Sequence, residues 1–430
     1  MRRSNWSLAW LNPDGRRLLV TRVLRTFGYG YLAVILAIYL EQIGLDNFLI
    51  GAVLTAALAG SALMNVFWSI KADTFGRRRT VALMGLLMFV GGVLFVLTDN
   101  IWILLLAAFS GTISATSSEV GPFLTVEQAI LPQTAPDDHR TWLFSIYDML
   151  GNFAGAAGAL FAGTLGLWAT LGLTGVNAYK PLFVIYAVIG LINMVLFLGL
   201  TDEVELARVE GERKFIGIHR SRGTVAKLSA LFSMDSFAGG LVVQSLVAYW
   251  FYLRWGLSTE TLAVVFFWVN VVSGLSFLGA APLANRIGLL NTMVFTHLPS
   301  NILLMLVPLA PTWWLAVLFF LLRMSVSQMD VPTRKSYTMA VVDPDERTAT
   351  AGITNTVRTA AAAFAPVISG AAFSVAALGI PFFVAGAVKS AYDGLIYLTF
   401  KDVRPPEEEA RYQAKLAQRA KAAEQQRVGV

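Results

Sequence analysis

The chain has 430 residues, of which 56% are hydrophobic and only 14% charged, with a net charge of +6. A soluble domain carries about 25% charged residues, so composition excludes an ordinary soluble fold. The absence of cysteine also removes disulfides, zinc–thiolate sites and thiol chemistry.

Residues 1–17 are basic and polar, lack a cleavable signal pattern, and read as a short cytoplasmic tail. Apolar runs able to cross about 30 Å of hydrocarbon then recur along the chain. Twelve spans are expected near 18–42, 47–70, 79–98, 101–131, 141–166, 180–200, 226–253, 259–283, 290–309, 312–341, 348–376 and 380–400. Gly121-Pro122 and Val331-Pro332 are expected to bend or end the fourth and tenth. The polar stretch 201–225 reads as a cytoplasmic linker between a bundle over 18–200 and a second over 226–400. The tail 401–430, rich in Ala, Glu, Gln, Lys and Arg, is expected to be solvated or to lie on the membrane surface. With both termini cytoplasmic, 26 of the 33 Lys and Arg residues fall on the inner side and only Lys180 and Arg254 outside. Topology thus accounts for the net charge and gives no reason to invoke nucleic acid.

The two halves echo one another. KADTFGRRR, between spans two and three, corresponds to LANRIGLLN between spans eight and nine, with Ala72 on Ala284 and Gly76 on Gly288. APDDHRT before span five corresponds to DPDERT before span eleven; from there Arg140-Thr141 matches Arg347-Thr348 and Gly163 matches Gly370. Spans one and seven end in Gly44-Leu45 and Gly256-Leu257. These matches argue for two parallel six-helix repeats with a binding site at their interface near the bilayer midplane.

Six plus six spans, a long central loop and SIKADTFGRRR after span two resemble the major facilitator superfamily, whose loop signature is Gly-x-x-x-Asp-Arg/Lys-x-Gly-Arg-x-Arg/Lys. Asp73, Gly76, Arg77 and Arg79 match it, while Ser69 and Thr74 depart from it. The resemblance implies an all-α polytopic membrane protein with twelve transmembrane helices in two pseudo-twofold-related bundles. It also implies a gating latch in which Asp73 docks at the start of span eleven, near Thr348, and Arg77 pairs with an acid near the end of span four, here Glu127. In physical terms Gly76 permits a tight reversal, and the arginines, Arg78 above all, can anchor the loop to lipid phosphates.

Ionisable residues inside the bundle cost roughly 2.5–3.5 kcal/mol each on insertion scales and normally face inward with partners. Asp235, Glu119, Asp330 and Asp148 are candidates for proton coupling or substrate binding; Arg25, Arg323 and Arg358 are candidates for holding an anionic group. Arg323 and Asp330 share a helix face, and Lys389 and Asp393, four apart in span twelve, are expected to form a structural pair. Glu127, Arg334 and Lys335 are expected to reach water at the inner interface. Tyr29, Tyr31, Tyr147, Trp250 and Trp268 are either cavity lining or packing.

The small-residue face GNFAGAAGALFAG in span five resembles the glycine-rich fifth span of drug antiporters, but the proline of that element is missing there, and Pro366 stands in span eleven instead. The sequence contains no His-Glu-x-x-His, Gly-x-Ser-x-Gly or nucleotide-binding Gly-x-x-x-x-Gly-Lys-Ser/Thr motif, and its three histidines are scattered. The expectation is therefore a monomeric transporter without catalytic residues, metal or cofactor, in a bacterial-type inner membrane. It would move a small polar or ionic solute, with protons and membrane lipids as partners, by proton-coupled export. Coupled uptake and a non-transporting sensor are the alternatives.

Overall fold

The computed structural model describes residues 10–117, 121–136, 140–205, 219–343 and 346–403, together with 405, 408, 409 and 413. The first half of the chain forms α1 (Pro13–Gln42), α2 (Asn47–Phe75) and α3 (Arg77–Leu97). A fourth span follows, broken into α4 (Ile101–Phe109) and α5 (Pro122–Ile130), then α6 (Arg140–Phe161) with its continuation α7 (Leu165–Thr170), and α8 (Lys180–Leu198). The second half opens with a broken span, α9 (Arg222–Leu241) and α10 (Gln244–Trp255), then α11 (Thr259–Ile287) and α12 (Leu289–Leu306). Two more broken spans, α13 (Trp313–Ser327) with α14 (Asp330–Ala340) and α15 (Arg347–Ala363) with α16 (Ala365–Ser374), precede α17 (Ile380–Phe400). Among the described residues ten stretches are long and apolar enough to cross a membrane. The two expected spans beyond those ten are the interrupted α4–α5 and α17, which carries Lys389 and Asp393 in its middle.

Local signals explain the element ends. Asp46 caps α2 by accepting the Leu49 N–H at 2.8 Å, and Ser258 caps α11 by accepting from Thr261 at 3.3 Å. Between α2 and α3 the chain reverses through one residue, Gly76, at φ +105°; between α11 and α12 Gly288 does the same at φ +92°. A side chain at either angle would be strained.

Packing repeats as the sequence does. In the first half α1 lies on α6, α3 on α8 and α2 on α4; in the second, α9 lies on α15, α12 on α17 and α11 on α13. Across the halves, α2 packs on α15 and α16, and α6 packs on α11. The matched glycines sit at these junctions. A Cβ on Gly370 would strike the Asn47 carbonyl and one on Gly51 would lie 2.7 Å from the Pro366 carbonyl oxygen, while one on Gly163 would lie 3.3 Å from the Ala263 Cβ. Each half thus uses a small residue to bring its fifth span against the second span of the other. Large apolar side chains such as Leu278, Trp314, Leu322, Val195 and Leu398 are exposed around the outside. In a protein whose backbone polar groups are met within its helices, these side chains form the lipid-facing surface.

Candidate functional site

At the end where α1 finishes and α10 begins its last turns, hydrogen bonds join the halves. Gln42 donates to the Tyr252 hydroxyl at 3.2 Å, Tyr249 donates to Asn47 at 2.6 Å, and the Val367 N–H donates to Thr55 at 3.0 Å. Deeper, the unwound chain between α4 and α5 meets the break between α9 and α10. There the Ser245 N–H and hydroxyl both reach the Ala115 carbonyl, at 3.2 and 3.1 Å. The Ser117 hydroxyl lies 2.8 Å from Gln244 Oε1 and 2.7 Å from Asn270 Oδ1. The amide nitrogens of Gln244 and Asn270 are buried and have no partner. One hydroxyl proton serves one acceptor at a time, so this polar knot retains open hydrogen-bonding capacity.

Beyond it, each half carries a buried ion-pair centre. In the first half Arg25 of α1 bonds Glu127 of α5 at 2.6 Å, with both side chains 0% exposed. Tyr147 donates to the same carboxylate at 2.5 Å and Thr21 at 3.3 Å, while the Arg25 guanidinium lies 4.3 Å over the Phe123 ring. Arg22 lies over Tyr147 and stands 3.9 Å from Asp148, whose side chain is 60% exposed. In the second half Asp235 of α9 is held by Lys389 at 2.5 Å and Arg334 at 3.0 Å, and Arg334 also bonds Asp330 at 2.9 Å. His297 connects this group to α17: its Nδ1 is 2.9 Å from Asp393, and its Nε2 is 3.7 Å from Asp235. Asn301 donates to Asp393 at 2.8 Å. All six ionisable side chains of the second centre are buried.

Several sequence expectations are corrected here. Lys389 and Asp393 do not pair with each other: Lys389 reaches Asp235 across the bundle, and Asp393 is taken up by His297 and Asn301. Glu127 and Arg334 are not at a wet interface but are closed off by the partners just described. Lys335 is exposed as expected. Arg77 does not take Glu127, which points into the bundle toward Arg25; it bonds Asp73 at 2.8 Å and reaches the end of α5 through the Ala129 carbonyl at 3.2 Å. Arg78 bonds Asp202 at 3.0 Å and the Leu200 carbonyl at 3.1 Å. Among the described residues Arg323 and Asp330 share no hydrogen-bond partner; Arg323 contacts Met324 Sδ at 3.0 Å. Arg358 donates to Ser236 at 3.0 Å. Glu119 and the Thr348 side chain lie outside the described residues. Among the aromatics, Tyr147 belongs to the first centre, whereas Tyr31, bonded to the Leu182 carbonyl at 3.1 Å, and Trp250, packed on Phe382, serve packing.

Sequence reasoning missed His297, dismissed as one of three scattered histidines. A signal was present: His297 and Asn301 are four apart on α12, as Lys389 and Asp393 are on α17, so two polar stripes face each other across one helix pair. Ser117 and Asn270 were also missed, because single small polar residues in long apolar runs carry little weight.

The Major Facilitator Superfamily family model matches residues 18–366. An uncharacterized membrane protein of Saccharomyces cerevisiae is 25% identical over 423 residues, covering 91% of this chain and 94% of the relative. Among solved structures, an inward-facing, unoccupied bacterial homolog of the human lysosomal transporter Spinster aligns with a TM-score of 0.68 at 14% identity, over 91% of this chain and 96% of that one. The nucleoside transporter NupG aligns with a TM-score of 0.70 at 12% identity, over 91% and 100% respectively.

Proposed function

Because the chain belongs to the Major Facilitator Superfamily, we propose that it is a secondary active transporter that carries a small polar or ionic solute by alternating access, coupled to protons. One observation carries the proton coupling. Asp235, Asp330 and Asp393 form a buried group bonded directly by Arg334 and Lys389, with Arg323 and Arg358 further off in its electrostatic field, and His297 bridges two of the carboxylates. With His297 neutral the directly bonded set of three carboxylates, one guanidinium and one ammonium has one negative charge, and one added proton balances it. Burial makes that difference large, because isolated charge inside a membrane protein is poorly tolerated. Proton binding there favours one arrangement of the helices α9, α12, α14 and α17 over another, and this is what coupling requires.

With both termini cytoplasmic, the hydrogen-bonded end of the bundle is the outer one and the end carrying the exposed Asp148 is the inner one. The glycine-rich fifth span favours export. Uptake coupled to a proton or another solute is the second reading, favoured by the absence from that span of the proline of the antiporter element. In proteoliposomes an imposed pH gradient is expected to drive solute flux, its sign relative to the gradient separating the two directions. Asp235→Asn and Glu119→Gln are expected to uncouple flux from the gradient. Gradient-driven flux unchanged in both variants removes these residues from the coupling role.

A further inference from the structure

The three carboxylates of the second centre are engaged, yet among the described residues Arg323 and Arg358 bond no carboxylate. Arg323 shares the inward stripe of α13 with Ala316, Phe320 and Ser327. Its contacts are the Met324 sulfur and the Phe320 ring, and its buried Nε has no hydrogen-bond partner. Arg358 extends the buried Thr350–Thr354 stripe of α15 and is met by the Ser236 hydroxyl. Both guanidiniums lie in the electrostatic field of Asp235 and Asp330. Both also lie near mid-membrane. Arg323 is ten residues from the start of α13 and Arg358 eleven from the start of α15, about 15 and 17 Å along their helices.

Isolated guanidinium charge at that depth is retained where it meets a partner, and guanidinium matches a carboxylate or phosphate through its planar fork. Counting Arg323, Arg334, Arg358 and Lys389 against Asp235, Asp330 and Asp393, the interior around this centre carries one cation in excess. From this, and resting on the transport reading above, we propose that the transported solute is an organic anion whose acidic group is held by Arg323 and Arg358. Its polar body meets the open amides of Gln244 and Asn270. Anion and proton then reinforce each other, which accords with the uptake reading rather than with export: a proton on the buried carboxylate–histidine group increases the excess positive charge that the anion neutralises.

The test uses the purified full chain and matched probes: lactate against lactamide, benzoate against benzamide, glycerol 3-phosphate against glycerol. At least one anion is expected to raise the melting temperature while its neutral counterpart does not. Arg323→Gln and Arg358→Gln are each expected to weaken its Kd at least tenfold, with Arg323→Lys intermediate because charge is kept and the fork is lost. Equal stabilisation by neutral counterparts, silence from all three anions, or wild-type Kd in both glutamine variants overturns the assignment. The same probes added to pH-loaded proteoliposomes separate the two readings. Proton movement driven by a neutral counterpart alone sinks the anion site and leaves transport standing. A bound anion that moves no protons retains the site and sinks proton coupling.

Discussion

Arg25–Glu127 and Asp235–Arg334 occupy the same two elements of their respective halves: the first span and the distal piece of the broken fourth. Their signs are exchanged. A duplicated bundle that needs one ion pair to join its first and fourth spans can satisfy the requirement either way round, because the pair is neutral as a unit. Removing one member leaves a charge buried without its counter-ion, at a cost of about 3–5 kcal/mol, whereas replacing both with apolar residues of similar volume is often neutral. Arg25→Ala is therefore expected to lower the melting temperature strongly, and Arg25→Met with Glu127→Leu to recover most of the loss. Equal melting temperatures for Arg25→Ala and wild type would show that the pair is not holding α1 to α5. At this scale the sequence revealed which residues carry buried charge but not who meets whom. Local spacing suggested Lys389–Asp393, yet both side chains found better partners on α9 and α12. Such long-range partners are set by helix packing that no spacing rule encodes.

At the scale of elements, glutamates outside the spans hold helix starts in place. Glu205 accepts the N–H groups of Arg77 and Arg78 at the head of α3, at 2.7 and 3.1 Å, and Glu408 accepts that of Leu289 at the head of α12, at 2.6 Å. Glu346, just before α15, accepts the backbone N–H groups of His219, Arg220 and Ser221 and so ties the end of the linker to the fifth span of the second half. Burial alone would raise its pKa, but these donors favour the carboxylate and hold it down at about 2 against an ordinary 4.5. A carboxylate lowered on folding adds stability above its unfolded value and loses it as pH falls toward its folded one. The melting temperature of Glu346→Gln is thus expected to lie below wild type above pH 4.5, with the gap closing as pH falls toward 2. A gap that stays constant through this window would place the effect elsewhere. The sequence made most of the span edges legible through the apolar runs and the polar breaks between them. It did not reveal the break between α9 and α10, where Val242 and Val243 leave the helix with no proline or glycine between them.

For the whole molecule, the recurring pairings of α2 with α16 and α6 with α11 mean that the halves meet through two equivalent seams, and in the transport cycle proposed above relative rocking opens one end of those seams as it closes the other. The end carrying Gln42, Asn47, Tyr249 and Tyr252 is closed here. Because the chain has no cysteine, this closure can be fixed at will: Gln42→Cys with Tyr252→Cys introduces the molecule's two thiols on opposite halves. A short bifunctional maleimide is expected to link them, to stop solute flux in proteoliposomes, and to leave solute binding intact, since the link leaves the other end of the bundle free. Each single-cysteine variant treated with the same reagent should retain its flux. Undiminished flux through the linked protein would mean that solute passes without the halves separating at this end, and rocking about the two seams would then not be the transport step.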